Sequence, residues 1–456
     1  MKIKQWEDKY LSQYSYGILS ECEKKIILID PARDPQPYLD WAKENDAVIT
    51  GIIETHPHAD FTSSHLELHQ KTKAAIYVHS LVGAAYPHKT FDHNETLELG
   101  KIRLISLHTP GHSPDSISIL LEHNDKQYAV FTGDTLFIGD CGRPDLREDA
   151  GNIHAKREEL ARQMYKSLRQ IFMKLDDEVI VYPAHGAGTL CGKSLSTENS
   201  STIKTEKETN WSLQDATEET FISNLLADQP FIPEYFPYDV ELNRKGAAPL
   251  AKSIKQVNIT NEEEISYLAE RTLCIDVRNE KSFKQGHLPE SVNIMEEGKF
   301  ETWLGSIVLP SESFVLVAED QEQLRRAIRR AASIGYEAHI RSAAVLSHAS
   351  NKSRRLNTSA FLQHQDNYTI IDVRNTSEVI QEKIFARSIN IPLPQLRHRL
   401  DEIPTDKPVV VHCAGGYRSA AASSIIEGFV GARTEVFDLG MAMLHRSAKS
   451  PSSSST

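Results

Sequence analysis

The second half of the sequence contains one pattern twice, and this repeat constrains the fold more than any other feature. Residues 273–294 read LCIDVRNEKSFKQGHLPESVNI, and residues 369–392 read TIIDVRNTSEVIQEKIFARSINIP. Each copy continues to a second apolar run, FVLVAED at 314–320 and PVVVHCAGGYRS at 408–419. A small-residue helix is predicted after each run. The repeat therefore predicts two α/β domains of about 100 residues each.

The first half of the sequence predicts one larger domain. Short apolar runs recur up to about residue 185, and several end directly in His or Asp. That pattern is typical of a layered α/β domain whose strands deliver side chains to one edge. The predicted segments are a domain over 1–250, two α/β domains over 255–347 and 350–446, and a disordered serine-rich tail over 447–456. Within the first domain we predict a loop over 186–210 and a helix over 217–228.

Charge and apolar content predict which partners are absent. The formal net charge of −12 and the lack of a Lys/Arg-rich block predict no nucleic-acid surface. There is no run of about 18 apolar residues and no secretory signal, so we predict a cytoplasmic protein without a membrane anchor. The scattered cysteines favour free thiols over disulfides. They are Cys22, Cys141, Cys191, Cys274 and Cys413. The sequence leaves open whether the chain forms a homo-oligomer.

Four segments of the first domain carry side chains that bind metals. Each lies at the end of an apolar run, with Gly or Pro nearby. The candidate ligands are His56, His58 and Asp60 in THPHAD, His112 in HTPGHSPDS, Asp134 in FTGDTLF and His185 in VYPAHG. A lone histidine is commonly structural, but this ordered set of imidazoles and carboxylates predicts a metal site. Phe61 follows Asp60 directly, and an aromatic ring cannot coordinate a metal.

These segments resemble the metallo-β-lactamase superfamily across residues 1–240. The resemblance implies an αββα sandwich with the metal at one edge of the paired sheets. In its two-metal hydrolases, such as glyoxalase II, the corresponding ligands are His56, His58 and His112 for one metal, Asp134 as the bridge, and Asp60, His185 and the residue at 61 for the other. With Phe61 in that place, the second metal loses a ligand.

His56, His112 and Asp134 remain as two imidazoles and one carboxylate. This is the ligand set of the facial triad, which leaves coordination positions on non-haem Fe(II) open for substrate and O2. The sequence resembles the persulfide dioxygenase branch of the superfamily. That resemblance implies one Fe(II) per chain, bound at these three positions.

The remaining candidate ligands have two interpretations. By the same resemblance, His58, Asp60 and His185 surround the iron as hydrogen-bond partners or persist as a vestigial metal site. The alternative is a weak second metal held by Asp60, His185 and Asp134, with Phe61 merely packing beside it.

One substrate contact follows from the same resemblance. The stretch TGDTLFIGDCGRPDL at 132–146 looks like the dioxygenase branch, in which the arginine matching Arg143 lies near the acidic part of the thiol carrier. Further candidate contacts are Tyr182, Arg244 and Lys245. Cys191, just after the last candidate ligand, either carries sulfur or is a buried structural thiol. The carrier stays open among glutathione, coenzyme A, bacillithiol and other small thiols.

Cys413 opens the loop CAGGYRS between an apolar strand and an alanine-rich helix. The loop N–H groups and the positive end of the helix both stabilise a thiolate at such a turn. The loop resembles the C-x-x-G-x-R loop of rhodanese domains, whose cysteine carries a transient persulfide. That resemblance makes Cys413 the sulfur carrier, with Arg418 and the loop amides holding an anionic donor or acceptor. The other residues of this loop are Ala414, Gly415, Gly416, Tyr417 and Ser419.

The first copy of the repeat lacks this nucleophile. It keeps the DVR motif but has Ala318, Glu319 and Asp320 where the cysteine loop would begin. We therefore predict that 255–347 is a degenerate rhodanese-like domain that acts as a spacer or docking surface. Cys274 is predicted to be a core residue of its first strand.

Together, the resemblances cover nearly the whole chain and match the persulfide dioxygenase–rhodanese fusions of sulfide detoxification. We predict an α/β and α+β multidomain protein, with an αββα sandwich followed by two rhodanese-like domains. The implied chemistry oxidises a low-molecular-weight thiol persulfide with O2 to sulfite, and rhodanese transfer then gives thiosulfate. Two alternatives stay open: a glyoxalase II-like zinc thioester hydrolase fused to a sulfurtransferase, and a persulfide-binding sensor without turnover.

Overall fold

The structure, a computed structural model, describes residues 1–148 and 156–440. The chain forms two compact units. The first comprises Met1–Ile254 and Ala332–Gly335, and the second comprises the rest of the chain from Lys255 onward. Among the described residues, no helix combines the length and apolar character needed to cross a membrane.

The first unit contains two mixed sheets. Its described strands are β1 (Lys2–Asp8), β2 (Gln13–Ser20), β3 (Lys25–Ile29), β4 (Val48–Ile53), β5 (Ala75–Val78), β6 (Lys89–Thr90), β7 (Thr96–Leu99), β8 (Ile102–His108), β9 (Ile117–His123), β10 (Lys126–Gly133), β11 (Ile180–Pro183) and β12 (Ser201–Thr202). The helices are α1 (Gln36–Glu44), α2 (His65–Thr72), α3 (Arg157–Gln170), α4 (Ile203–Thr209), α5 (Glu218–Leu226), α6 (Phe236–Lys245) and, at the boundary, α7 (Leu250–Lys255). The strand orders are β1-β2-β3-β4-β5-β6 and β12-β11-β10-β9-β8-β7.

Alternating side-chain directions along β3 show how the layers stack. Ile27 and Ile29 point into a core shared with the second sheet, whereas Ile26 and Leu28 pack on the opposite face with Trp41 of α1. Successive side chains of a strand point to opposite faces, so a continuous apolar run is buried on both sides. Each such side chain contributes about 1.5–3 kcal/mol. Helices α3 and α5 cover the outer face of the second sheet, and the arrangement confirms the predicted αββα sandwich.

The prediction of a loop over 186–210 is wrong at its end. Strand β12 and helix α4 occupy its last residues. The side-chain oxygen of Thr202 accepts a hydrogen bond from the Thr205 N–H at 3.2 Å and so caps α4. The Ser/Thr-rich composition concealed this cap. The helix predicted over 217–228 is present as α5, with Thr217 as its cap.

The second unit contains the two copies of the repeat. Its described strands are β13 (Leu273–Asp276), β14 (Val292–Asn293), β15 (Phe314–Ala318), β16 (Ile340–Val345), β17 (Thr369–Asp372), β18 (Ile389–Asn390), β19 (Val409–His412) and β20 (Val436–Asp438). The helices are α8 (Glu262–Ala269), α9 (Glu280–Gln285), α10 (Phe300–Ile307), α11 (Gln321–Ala332), α12 (Thr358–Gln363), α13 (Thr376–Gln381) and α14 (Tyr417–Val430). The sheet orders, β14-β13-β15-β16 and β18-β17-β19-β20, are equivalent, and their described pairings are parallel. The tail predicted over 447–456 and the last residues of the segment predicted over 350–446 lie outside the described residues.

The DVR motif forms the same buried ion pair in both copies. Arg278 Nη2 lies 2.6 Å from Asp276 Oδ2, and Arg374 Nη2 lies 2.7 Å from Asp372 Oδ2. Each arginine also donates to a main-chain carbonyl eight residues further along the chain. Removing one partner of a buried ion pair costs about 3–5 kcal/mol. The motif therefore stabilises the fold in both copies, including the copy without a cysteine loop.

Candidate metal centre and candidate sulfur-transfer loop

The candidate metal ligands lie where strands of both sheets end. Strand β4 leads into His56, β10 into Asp134 and β11 into His185, and the turn after β8 carries His112. Strands β8, β10 and β11 run in the same direction, so their carboxyl ends meet at one edge of the second sheet. The Ile117 N–H donates to the Thr55 carbonyl at 2.9 Å and joins the two sheets there.

Gly133 allows the end of β10 to approach the first sheet. Its φ is +53°, and a Cβ at this position would lie 2.7 Å from Thr55 Oγ1. Any other residue would be strained in this conformation and would meet the threonine side chain. Because Asp134 follows Gly133 and His56 follows Thr55, this glycine allows the two candidate ligands to converge.

One group of ligand atoms comprises His56, His112 and Asp134, which are buried and lie within 4.8 Å of one another. Asp134 Oδ2 is 3.8 Å from His56 Nε2 and 3.5 Å from His112 Nε2. These are the three residues of the predicted facial triad. Their geometry can hold one metal ion with two nitrogens and one oxygen.

A second group comprises His58, Asp60 and His185, again within 4.8 Å of one another. His185 Nε2 lies 3.5 Å from Asp60 Oδ1 and 3.5 Å from Asp134 Oδ1. The two oxygens of Asp134 therefore face different groups.

The polar atoms of both groups fit a cation. Within these two groups, seven buried atoms have no hydrogen-bond partner among the described residues: His56 Nε2, His58 Nδ1 and Nε2, Asp60 Oδ1, Asp134 Oδ1 and Oδ2, and His185 Nε2. A buried polar atom without a partner costs about 1–3 kcal/mol. A bound metal would satisfy several of these atoms at once, so the donor set suits a metal centre.

Burial keeps the imidazoles in their ligand form. It lowers the pKa of His112 to about 3, with His58 adding to the shift. It also lowers the pKa of His56 well below the ordinary value. Burial raises the pKa of Asp134 to about 7, with His185 opposing and Asp60 adding to the shift. Neutral imidazoles leave a lone pair free for a metal.

Hydrogen bonds orient the ligand rings. His112 Nδ1 lies 2.9 Å from the Arg143 carbonyl oxygen, so Nδ1–H donates there and Nε2 faces Asp134. His56 Nδ1 lies 3.1 Å from Thr55 Oγ1, which itself donates to Asp30 Oδ2 at 2.8 Å. We did not predict Asp30 as a site residue, although it ends the apolar run KIILID as the other strand-end candidates end theirs.

Phe61 packs where the second group would need another ligand. Its side chain is buried, and its ring centroid lies 4.4 Å from that of His58 and 6.5 Å from that of His185. Asn243 of α6 holds this segment, because its Nδ2 donates to the carbonyls of His58 at 2.8 Å and Phe61 at 2.7 Å. The sequence carried no local signal for Asn243, which is 182 residues from Phe61.

Cys191 lies beside both ligand groups. Its sulfur lies within 4.8 Å of the ligand atoms of Asp134 and His185. Its carbonyl accepts a hydrogen bond from the Arg143 N–H at 2.9 Å. Burial and the carboxylates of Asp60 and Asp134 raise the pKa of its thiol well above the ordinary value. In the metal-free chain this cysteine is therefore a protonated thiol.

The basic side chains predicted to contact the substrate form ion pairs with carboxylates of the same domain. Arg143 forms a two-pronged ion pair with Asp145 at 2.7 and 2.8 Å and donates to the Pro230 carbonyl at 2.7 Å. Arg244 pairs with Glu241 through two bonds of 2.8 Å, and Lys245 lies 3.0 Å from the same carboxylate. Arg143 has a carboxylate of its own, and Arg244 and Lys245 share that of Glu241. This pairing does not favour the predicted role in holding an anionic carrier.

Tyr182 also has a structural position. Its ring stacks on Phe131, with centroids 5.3 Å apart, and lies 5.3 Å from Tyr16 at the core between the sheets. Burial and Tyr128 raise the pKa of its hydroxyl. This position does not favour a direct contact with the substrate.

The loop at Cys413 joins β19 to α14. The cysteine is buried, and its sulfur accepts a hydrogen bond from the Gly416 N–H at 3.1 Å. Gly416 precedes the first residue of α14 and has a φ of +88°, a conformation that favours glycine. A sulfur anion at this position therefore faces an N–H group and the positive end of a 14-residue helix. Ala414 and Gly415 are exposed, so the loop is open to solvent on that side.

Other loop side chains hold the loop in place. Arg418 forms a two-pronged ion pair with Glu378 of α13, at 2.5 and 2.8 Å. Two N–H groups of this guanidinium are therefore already bound to a carboxylate, which leaves fewer of them for the predicted anion. The Ser419 hydroxyl donates to the Gly416 carbonyl at 3.0 Å, and the Tyr417 hydroxyl donates to the Met295 carbonyl of the first copy at 2.6 Å.

The equivalent turn of the first copy carries acids in place of a thiol. Asp320 Oδ1 accepts from the N–H groups of Glu322 and Gln323 at 2.8 Å and so caps α11. Glu319 accepts from the Ser282 hydroxyl at 3.2 Å. Cys274 is buried within β13, and burial raises the pKa of its thiol. This turn therefore has no group that can take up sulfur.

Both halves of the chain are similar to known protein families. The family profile described as the metallo-β-lactamase superfamily matches residues 16–185, and that of the rhodanese-like domain matches 262–345 and 358–442. Among curated proteins, a probable hydroxyacylglutathione hydrolase of Schizosaccharomyces pombe is 30% identical over 175 residues, which are 38% of this chain and 63% of that protein. The chain thus spans less than two thirds of that relative's length.

Two solved structures extend the comparison. A metallo-β-lactamase from Staphylococcus aureus subsp. aureus COL has a TM-score of 0.67 and 32% identity, and the match covers 76% of this chain and 98% of that one. ETHE1 from Myxococcus xanthus has a TM-score of 0.46 and 30% identity, over 54% of this chain and 98% of that one. The chain therefore belongs to the metallo-β-lactamase superfamily and carries two rhodanese-like domains after its metallo-β-lactamase domain.

Proposed function

We propose that the first unit is a persulfide dioxygenase with one Fe(II), held by His56, His112 and Asp134. The observation that carries the proposal is the position of Phe61. Its ring packs against His58 where a second metal would need a ligand, while the ligand atoms of the other three residues converge. A single metal with two imidazoles and one carboxylate retains open positions, which suits an oxygenase.

The proposed reaction is R–S–SH + O2 + H2O → R–SH + SO3²⁻ + 2 H⁺. The sulfane sulfur loses the electrons that O2 gains, so no other oxidant is required. When bound, Fe(II) would supply open coordination positions for O2 and for the terminal sulfur of the persulfide. The chain's own residues orient the ligands: the Arg143 carbonyl holds the His112 ring, and Thr55 with Asp30 holds the His56 ring.

The second copy of the repeat would use the sulfite. The proposed step is Cys413–S–SH + SO3²⁻ → Cys413–SH + S2O3²⁻, in which the sulfur–sulfur bond of the cysteine persulfide breaks and one to sulfite forms. The Gly416 N–H and the start of α14 stabilise the sulfur anion that leaves. The reverse direction would use thiosulfate to load Cys413.

The decisive experiment is anaerobic metal analysis followed by O2 uptake on a panel of low-molecular-weight persulfides. We expect about one iron per chain. One O2 should be consumed for each sulfite formed, including the sulfite that is then converted to thiosulfate. Two tightly bound zinc ions per chain, or no O2 uptake with any persulfide on the iron-loaded protein, would contradict the proposal.

A thioester hydrolase is the second candidate. The observation that favours it is the orientation of Asp134, whose oxygens face both ligand groups. The relative from Schizosaccharomyces pombe also carries the name of a hydrolase. Hydrolysis of S-lactoylglutathione by the zinc-loaded chain without O2 would support this candidate.

A persulfide-binding sensor is the third candidate. It would share both sites but would not turn over, so sulfite release over many turnovers excludes it.

We also propose a cytoplasmic location, because all five cysteines are free thiols, as in a reducing compartment. Retention of activity by the chain expressed in the cytoplasm, and its loss on export, would test the location.

A further inference from the structure

A cavity of about 980 Å³ opens between the two copies of the repeat. From the first copy, helix α9 and Met295 line it. From the second copy, residues 352–356, Thr358 and Asp438 line it. Its volume is at the upper end of the range for small-molecule sites and exceeds what sulfite or thiosulfate requires. The copy without a cysteine loop therefore contributes one wall of a ligand-sized cleft.

The cleft carries an excess of positive charge. Its cationic side chains are Lys281, Lys284, Lys352, Arg354 and Arg355, and its carboxylates are Glu280 and Asp438. Both carboxylates pair with Lys284, the second at 2.7 Å. Arg354 pairs with Glu435 at the exposed rim.

Three cations remain for a ligand. Lys281, Lys352 and Arg355 form no ion pair in the part of the chain that the structure describes, and all three are exposed. Like charges gathered in one cleft repel one another, and a polyanion relieves that repulsion. Met295 and Leu356 add apolar surface to the same cleft, which suits an organic ligand.

The cleft is connected to the Cys413 loop. Tyr417, at the end of that loop, donates its hydroxyl hydrogen to the Met295 carbonyl at 2.6 Å. Burial raises the pKa of this hydroxyl, so it remains a donor. The residue that lines the cleft is therefore fastened to the segment that carries the nucleophile.

We infer that this inter-repeat cleft binds the carrier group of a polyanionic thiol, one that bears several phosphates, and retains it beside the Cys413 loop. The inference rests on the sulfur-transfer half of the proposed function and not on the iron site. The associated step is R–S–SH + Cys413–S⁻ → R–S⁻ + Cys413–S–SH, in which one sulfur–sulfur bond breaks and another forms. The cations suggested by the sequence in the first unit, Arg143, Arg244 and Lys245, each contact a carboxylate, whereas the three cleft cations named above form no ion pair among the described residues.

Calorimetric titration of the reduced, iron-loaded full chain with coenzyme A tests the inference. The Lys352→Glu/Arg355→Glu variant should bind coenzyme A at least about tenfold more weakly, because two attractive charges become repulsive. The matched control is Lys252→Glu/Lys255→Glu, which changes the net charge equally on exposed residues of α7 and should bind within about twofold of the unaltered chain. Pantetheine, with the same thiol arm and no phosphate, should bind at least about tenfold more weakly than coenzyme A.

Equal coenzyme A affinity in the cleft variant and the unaltered chain would overturn the inference, as would equal affinity for pantetheine and coenzyme A. Sulfur transfer from thiosulfate to cyanide does not require coenzyme A, so it reports the folding and the Cys413 function of each variant independently of coenzyme A binding. This activity should be retained in the cleft variant. If the charge reversal impairs that reaction, Lys352→Gln/Arg355→Gln replaces it, with an expected loss of about threefold in affinity. If the unaltered chain did not transfer sulfur from thiosulfate, the proposed function would be contradicted. The coenzyme A binding result would still stand.

Discussion

The two candidate sites are built differently. The ligands of the metal centre come from strand ends in two sheets, and Asn243 supports them from a helix much later in the chain. The sulfur-transfer loop is one continuous stretch, 413–419, which comprises the turn after β19 and the first residues of α14. One site depends on the packing of a whole sandwich, whereas the other depends on a single turn and the start of a helix.

This difference has a chemical consequence. Charge at the candidate metal centre would be balanced by a bound cation, because several of its inward-facing atoms have no hydrogen-bond partner among the described residues. Charge at Cys413 is balanced by the Gly416 N–H and the start of α14, which are parts of the fold. We therefore expect metal removal to abolish one activity and leave the other, and substitutions to separate the two.

The largest effect is expected at Cys413. Replacing Cys413 with serine should reduce thiosulfate sulfur transfer by at least about 1,000-fold, because a hydroxyl cannot carry a transferable persulfide. Iron content and O2 uptake with a persulfide should stay within about twofold, with sulfite replacing thiosulfate as the main product. Sulfite and thiosulfate are measured separately at matched O2 consumption.

Cys274→Ser is the matched control for this substitution. Cys274 lies inside a strand of the first copy and not at the head of a loop, so both products should be unchanged. Enzymatic thiosulfate formation that persists in Cys413→Ser, above the non-enzymatic background, would show that Cys191 or another group carries the sulfur.

The next effect is expected at the metal centre. Replacing His112 with alanine removes one of three ligands, so iron content should fall to a small fraction and O2 uptake by about 100-fold or more. Thiosulfate sulfur transfer should remain within about twofold, since that loop depends on local groups. His123→Ala, a substitution at the end of β9, is the control. Equal loss of both activities in a folded His112 variant would mean that the two sites are not independent.

A smaller effect is expected from restoring a ligand at position 61. Phe61→His should raise the affinity for a second metal by about tenfold or more, because the second group gains an imidazole. Without metal the variant should lose roughly 1–3 kcal/mol of stability, since a buried aromatic ring is replaced by a polar one. Phe61→Leu keeps the site apolar and should not gain the second metal. Unchanged metal stoichiometry in Phe61→His would contradict the role given to Phe61.

The smallest effect is expected at the contact between the two copies of the repeat. Arg397 pairs with Glu312 at 2.7 and 2.8 Å and donates to the Ile307 carbonyl at 2.7 Å. Arg397→Ala should cost about 1 kcal/mol in denaturant unfolding, because the pair is only partly buried. Arg399→Ala removes an exposed pair with Glu402 within one copy and should cost less. A loss of several kcal/mol for Arg397→Ala would show that the first copy is essential to the stability of the second.

The predictions that agree with the fold are those that rest on short sequence patterns. Apolar runs ending in His or Asp identified the strands that lead to His56, Asp134 and His185, because a strand end places its next residue at the sheet edge. The recurring DVR motif identified two copies with equivalent strand order. Helix α4 was missed because its cap lies within a Ser/Thr-rich stretch that reads as loop.

The substrate residues were harder to predict. Arg143, Arg244 and Lys245 read as free cations in the sequence, but the fold places Asp145 and Glu241 beside them. Whether a charged side chain is available to a ligand depends on its neighbours in space. The cations without such neighbours are Lys281, which lies within the repeat, and Lys352 and Arg355, which lie between the two repeated stretches; the sequence alone did not show that they share one cleft.

The sequence by itself determined the strand-end ligands, the missing imidazole at Phe61, the Cys413 loop and the repeat, because each is a property of residue type at short spacing. Only the tertiary structure decided that His56 and Asp134 converge across two sheets, that Asn243 clamps the segment of Phe61, and that two copies of the repeat enclose a cationic cleft. Hydrogen bonding and packing within a strand or turn act between near neighbours in the chain. Charge compensation and ligand convergence instead act through space, between residues that only folding brings together.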